Sequence, residues 1–171
     1  MVSDYVVFED NSVKVKNALE EKVIAFLYEV GGDLRSRTQR NADKYNKTSK
    51  TSGSYEYKVD EGQLAVHVGS NYDNAIWEEF GTGEFASETG HVGRQGWWVY
   101  VAGSPSKKSS KGKTYNSPEE ARKAVAILRS KGLNAYMTKG KHARRNLWKA
   151  YESLKSKIIK RANEIFGGLN S

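Results

Sequence analysis

The chain has 171 residues, a length suited to one domain, with 28 Lys and Arg against 20 Asp and Glu. It contains no Cys, which excludes a disulfide framework, a thiolate zinc site and a cysteine nucleophile, and no run of some eighteen apolar residues, which excludes a membrane-spanning helix. The net charge of +8 is unevenly placed: residues 61–103 carry one basic and six acidic side chains, and residues 104–171 carry seventeen basic and four acidic ones. Such asymmetry points to an anionic partner, nucleic acid included, or to charge complementarity between copies. Apolar residues make up only 37%, yet there are four Trp, ten Tyr and five Phe. That composition fits either a protein that finishes burying its surface in an assembly or an ordinary soluble monomer. Met1–Asp10 has no basic n-region, so no secretory signal is expected.

In chain order, Val15, Leu19, Val23, Phe26, Val30 and Leu34 recur at helical spacing. Gly31 and Gly32 interrupt the stripe at a cost of about 1 kcal/mol each. Because Leu34 stays in register, the reading is one helix over roughly 12–42. Residues 46–54 are polar and read as a loop. Tyr55, Tyr57 and Val59, then Leu64, Val66 and Val68, alternate around the turn Asp60-Glu61-Gly62 and predict a hairpin. His67 falls on the face opposite Val66 and Val68. The segment Tyr72–Gly83 reads as a short strand or helical turn, with Phe80 buried and Glu79 near a turn made by Gly81 and Gly83. Glu84–Gly96 reads as an exposed loop. Trp97–Val101 is a strand with two large apolar faces, central or covered by a partner chain.

Ser104–Lys113 holds four Lys and no acid and reads as a flexible loop. Ser117-Pro118-Glu119-Glu120 is a capping box opening a helix, and Gly132 closes it. Leu133–Met137 reads as a strand. The last helix runs from about Ala143 to Phe166, with Leu147, Tyr151, Leu154, Ile158, Ala162 and Ile165 facing inward. Trp148 is expected in core or interface packing rather than base stacking. The expected fold is α/β of the α+β type: a mainly antiparallel four-stranded sheet (54–60, 63–70, 97–102 and 133–138) packed against the N-terminal and C-terminal helices. The whole chain, 1–171, is read as a single domain, with 103–132 as an insertion of basic loop and capped helix.

No catalytic constellation stands out. Gly81-Thr82-Gly83 lacks the Lys and spacing of a phosphate loop. His67, His91 and His142 have no metal-ligand spacing, and the adjacent Glu78 and Glu79 diverge on either a strand or a helix. The reading is therefore a non-enzyme with no catalytic, cofactor-binding or metal-binding residues, and no cofactor. The loudest signal is the basic closing region, with Lys141, Arg144, Arg145, Lys149, Lys157, Lys160 and Arg161 as a surface for a partner ring or DNA. Any DNA contact there would be to phosphates, without base readout. A non-specific nucleic-acid-binding module is accordingly the alternative reading.

The segment Tyr72, Ala75, Glu79, Phe80, Gly81, Thr82 and Gly83, preceded by Val66-x-Val68-Gly69-Ser70, resembles the most recognisable stretch of the tail-completion or head–tail joining proteins of tailed bacteriophages. The order of elements is also similar over most of the chain. Two places depart from the family pattern: the last helix opens with Ala143-Arg144-Arg145-Asn146-Leu147 in place of an Ala-Arg-Pro-Phe-Leu-type run, and the hairpin is preceded by Thr51-Ser52-Gly53-Ser54. The resemblance implies a structural protein of the virion neck, assembled in the host bacterial cytoplasm. It implies a six- or twelve-fold ring, neighbouring neck and tail proteins as partners, genome DNA in the lumen, and no membrane. Glu79, Phe80, Gly81, Thr82, Gly83, Glu84, Trp97 and Trp98 are then the candidate subunit-interface residues. A shorter stretch, Trp97–Tyr100 with the capped helix and Gly132-x-x-Ala135-Tyr136, is distantly similar to half of a small peptidoglycan-binding repeat domain.

Overall fold

The structure, a computed structural model, describes residues 10–45, 49–103 and 113–167. Of the expected basic loop, only Lys113 lies within them. The chain divides into two compact units, one formed by the chain up to Gly69 with the chain from Lys149 onward, the other by Ser70–Trp148.

In the first unit, α1 (Ser12–Asp43) runs without a break through both glycines. Its first turn is opened by Asp10, whose carboxylate accepts the Ser12 amide at 2.9 Å and is held below the usual aspartate pKa by that bond. Gly31 is required by packing: a Cβ there would press on the Tyr57 ring and stand 2.9 Å from a Val66 methyl. The hairpin thus closes onto α1 where α1 has no side chain. Arg35 Nε donates to the Tyr55 carbonyl at 2.9 Å and Thr38 Oγ1 to the Leu34 carbonyl at 2.7 Å. A one-turn helix, α2 (Lys50–Gly53), buries Thr51 and Ser52 where the sequence reads as loop; residues 46–48 of that stretch lie outside the described residues.

The hairpin is β1 (Tyr55–Asp60) and β2 (Ala65–Ser70). Its turn is tightened by the Gln63 amide donating to Asp60 Oδ1 at 2.9 Å. Leu64 does not join the strand: it sits at φ 49 and is exposed, so the strand starts at Ala65, two residues later than the expected 63–70. His67 is exposed on the expected side.

The second unit begins with α3 (Asp73–Phe80), followed by β3 (Thr82–Gly83) and a 3-10 turn, Glu84–Thr89. That turn buries Ala86, so only the later part of the expected loop 84–96 is loop. Next come β4 (Trp97–Val101), β5 (Thr114–Tyr115), α4 (Pro118–Ser130), β6 (Ala135–Thr138) and β7 (Gly140–Lys141). The Ser117 cap forms: the Glu120 amide donates to Ser117 Oγ at 3.3 Å, and Gly132 takes φ 77. α4 packs on β4 and β6 and buries Ala121 and Val125; Ala135 is fully buried beside them. The last helix, α5 (Asn146–Phe166), contributes its first three residues to this unit and the rest to the other.

Mixed α and β content, antiparallel pairing and long terminal helices are as expected. The single four-stranded sheet is not. Residues 55–60 and 65–70 pair only with each other, whereas 97–101 lies between 114–115 and 135–138 in a three-stranded sheet of order β5-β4-β6. The reason is local. The hairpin satisfies its apolar face on α1, and the edge of β4 that a fourth long strand would need is taken by Thr114–Tyr115.

The apolar core is made of small side chains. Among the described residues the buried apolar ones are Val30, Ala42, Tyr55, Ala75, Ala86, Ala121, Val125, Ala135 and Ala150, with no Leu, Ile, Phe, Met or Trp. At roughly 25 cal/mol per Å² of apolar surface buried, alanines contribute little, and the large side chains that normally carry a core keep contact with water.

Candidate functional site: the junction of α3 and α5

The segment that carries the family resemblance is fastened to the start of α5. Glu78, buried to 1% exposure, accepts from Arg144 Nη1 at 2.9 Å, Lys141 Nζ at 3.3 Å, Asn74 Nδ2 at 3.2 Å and Asn146 Nδ2 at 3.2 Å. Its backbone carbonyl takes the Arg144 and Arg145 amides at 2.7 and 3.3 Å. Glu79 turns the other way, as adjacent helical residues must. Its two carboxylate oxygens receive the Leu147 and Trp148 amides at 2.8 and 2.9 Å, which caps the amino end of α5 with a charge of the sign the helix dipole favours.

The glycines make this approach possible. Gly81 ends α3 at φ 76 with its amide on the Trp77 carbonyl at 3.0 Å, and a Cβ on it would stand 2.9 Å from the Lys141 carbonyl oxygen. Gly83, at φ 62 and ψ −140, faces Gly140 across the β3–β7 pair. A Cβ there would collide with the Lys139 carbonyl and stand 2.6 Å from the Trp98 ring. Thr82 Oγ1 accepts the Lys141 amide at 3.0 Å. Glu84 takes the Gly96 amide at 3.2 Å and pairs with Lys139 at 3.2 Å. Glu88 pairs with His142 at 2.9 Å. All four acids from Glu78 to Glu88 therefore find partners between residues 96 and 148 of the same chain.

Of the candidate interface residues, Glu79, Gly81, Thr82, Gly83 and Glu84 are gathered here, and all five serve this junction. Trp98 packs over Gly83 and carries the Arg94 guanidinium 5.2 Å above its ring; Trp97 pairs with Tyr115 in the sheet. Phe80 is not buried as expected. It is 38% exposed and shares a cleft of about 370 Å³ with Glu79, Glu88, Thr89, Arg145 and Trp148. Trp148 is likewise exposed, under the Arg145 guanidinium at 5.6 Å. The inward position of α5 next to it is Ala150, fully buried, so Tyr151 points outward, contrary to the expected stripe.

The basic residues divide into two groups. Lys141 and Arg144 are held by Glu78, and Arg145 Nη2 donates to the Glu88 carbonyl at 2.7 Å. Lys157 pairs with Asp33 at 2.6 Å and Arg161 with Glu29 at 3.2 Å, which joins α5 to α1 within the first unit. These carboxylates push both cations above their ordinary pKa, mainly by hydrogen bonding. Lys149 and Lys160 are exposed. The expected continuous basic face of α5 is thus partly neutralised by α1. Sequence reasoning missed the role of Glu78: one carboxylate beside another carries no mark of burial, and its partners lie 63–68 residues away in the chain.

Among the described residues there is no cluster of three His, Cys, Asp or Glu placed to hold a metal, and no helix long and apolar enough to cross a membrane. No family model matches this chain, and comparison with curated proteins and with solved structures finds no relative.

Proposed function

We propose that this chain is a non-enzymatic structural protein of a tailed phage or prophage, a ring subunit of the neck that completes the tail end and joins it to the head connector. The observation that carries the reading is the junction itself. The stretch Glu78–Gly83 and the stretch Gly140–Trp148 meet there through the Glu79 cap of α5, the Glu78–Arg144 ion pair and the short β3–β7 pair. The four acids of that junction, Glu78, Glu79, Glu84 and Glu88, are each bonded within the chain, which supports its role as a rigid platform. The small-residue core agrees with a subunit that buries its large apolar side chains against neighbours.

Negative-stain imaging and sedimentation of the protein co-expressed with the products of the genes flanking its own test the reading. The expected result is rings incorporated between connector and tail. A protein that stays a monomer and enters no particle overturns it.

Phosphate binding by the basic region ranks second, on the exposed Lys149, Lys155 and Lys160. Its signature is DNA affinity that falls steeply with salt, by a slope set by the number of phosphates neutralised.

A further inference from the structure

α3 is amphipathic in the inverted sense. Its buried residues are Ala75 and the charged Glu78, whereas Ile76 and Trp77 are 53% and 49% exposed. Tyr72 and Phe80, one turn to either side of Ile76, are exposed as well, so four large apolar side chains form one outward face around Asp73. α5 has a second outward stripe, Tyr151, Lys155 and Ile159, at helical spacing; Ile159 is 52% exposed. Among the described residues neither Asp73 nor Lys155 has an ion-pair partner. One face is thus aromatic and apolar with an acid at its centre. The other is aromatic and apolar with a base at its centre.

We infer that the outward face of α3 on one copy of this chain is covered by the outward stripe of α5 on the next copy, with Asp73 set against Lys155. The inference rests on the ring reading and specifies its contact. Two different faces meet, so the contact is head-to-tail: each copy leaves one α3 face and one α5 stripe open for further copies, and a closing rotation gives a ring. Burial of Ile76, Trp77 and Ile159 supplies the attraction. The single charge pair sets direction, since like charges meet if α3 faces α3 or α5 faces α5. The acids from Glu78 to Glu88 are already occupied within the chain, which leaves Asp73 as the acid of α3 open to a neighbour.

The natural chain has no cysteine, so single cysteines report contacts cleanly. Ile76→Cys and Ile159→Cys proteins, each checked for native circular dichroism, are mixed and treated with a short bis-maleimide. Cross-linked dimers are expected in the mixture and in neither protein alone. Dimers from Ile76→Cys alone mean a symmetric α3 contact and overturn the inference, as does a mixture that stays uncross-linked. In a second arm, Asp73→Lys weakens assembly read by sedimentation, and adding Lys155→Asp restores it; absence of restoration also counts against the pairing. Rings that enter particles without this cross-link remove the α3–α5 contact and leave the neck reading standing. Cross-linking in a protein that enters no particle does the reverse.

Discussion

The two units use ion pairs in opposite ways. In the second, Glu78 is taken out of water and surrounded by Arg144, Lys141, Asn74 and Asn146. In the first, Lys157–Asp33 and Arg161–Glu29 lie at the surface between α5 and α1. A buried carboxylate has few tolerable surroundings, so it dictates the geometry of whatever surrounds it. A surface pair is screened by water and salt and follows a geometry set by apolar packing, here including the edge-on contact of Phe26 with Phe166 at 5.8 Å. Glu78, next to the resemblance-bearing Glu79, therefore works as an organising charge, while the basic helix is only partly neutralised by α1, through Lys157 and Arg161.

The largest expected effect breaks the buried side of this comparison. Glu78→Ala leaves Arg144 and Lys141 without their anion and should cost about 3 kcal/mol, the low end for a broken buried pair because both cations keep some water. Denaturant unfolding with an unchanged slope measures it; an unchanged midpoint means the carboxylate organises nothing. Gly83→Ala forces a side chain into a glycine-only backbone conformation and against the Lys139 carbonyl, and should cost about 2 kcal/mol or more. Glu79→Ala removes the cap of α5 and should cost about 1 kcal/mol, seen as faster amide exchange at Leu147 and Trp148. Glu79→Gln keeps the acceptor and should recover part of it.

The surface side of the comparison predicts the smallest effect. Lys157→Met should leave the unfolding midpoint close to that of the parent. Asp33 raises the Lys157 pKa above its ordinary 10.5, so whatever the pair contributes is fully present below that value and fades only as pH rises through the folded pKa. The difference between parent and variant should thus stay constant across neutral pH. A large or pH-dependent loss near neutrality would make the two kinds of pair equivalent.

Elements governed by neighbours in the chain were legible. The α1 stripe ran through Gly31 as its period required, and the Ser117 cap started α4 where expected. Strand positions were read to within two or three residues, with Leu64 lost to a positive φ. The candidate site was legible in its residues and not in its wiring. Glu79, Gly81, Thr82 and Gly83 do stand together, but Lys141, Leu147 and Trp148, whose amides Thr82 and Glu79 hold, showed no sign of being their counterpart.

The sequence by itself determined where helices and strands form, because caps, glycines and periodicity act over a few residues. Only the tertiary structure decided what faces inward. Glu78 went in and Phe80 stayed out, Ala150 took the inward place and Tyr151 the outward one, and the four strands divided between two sheets. The burial of Glu78 depends on partners more than sixty residues away: a carboxylate is buried only where cations and amides from another segment arrive to meet it.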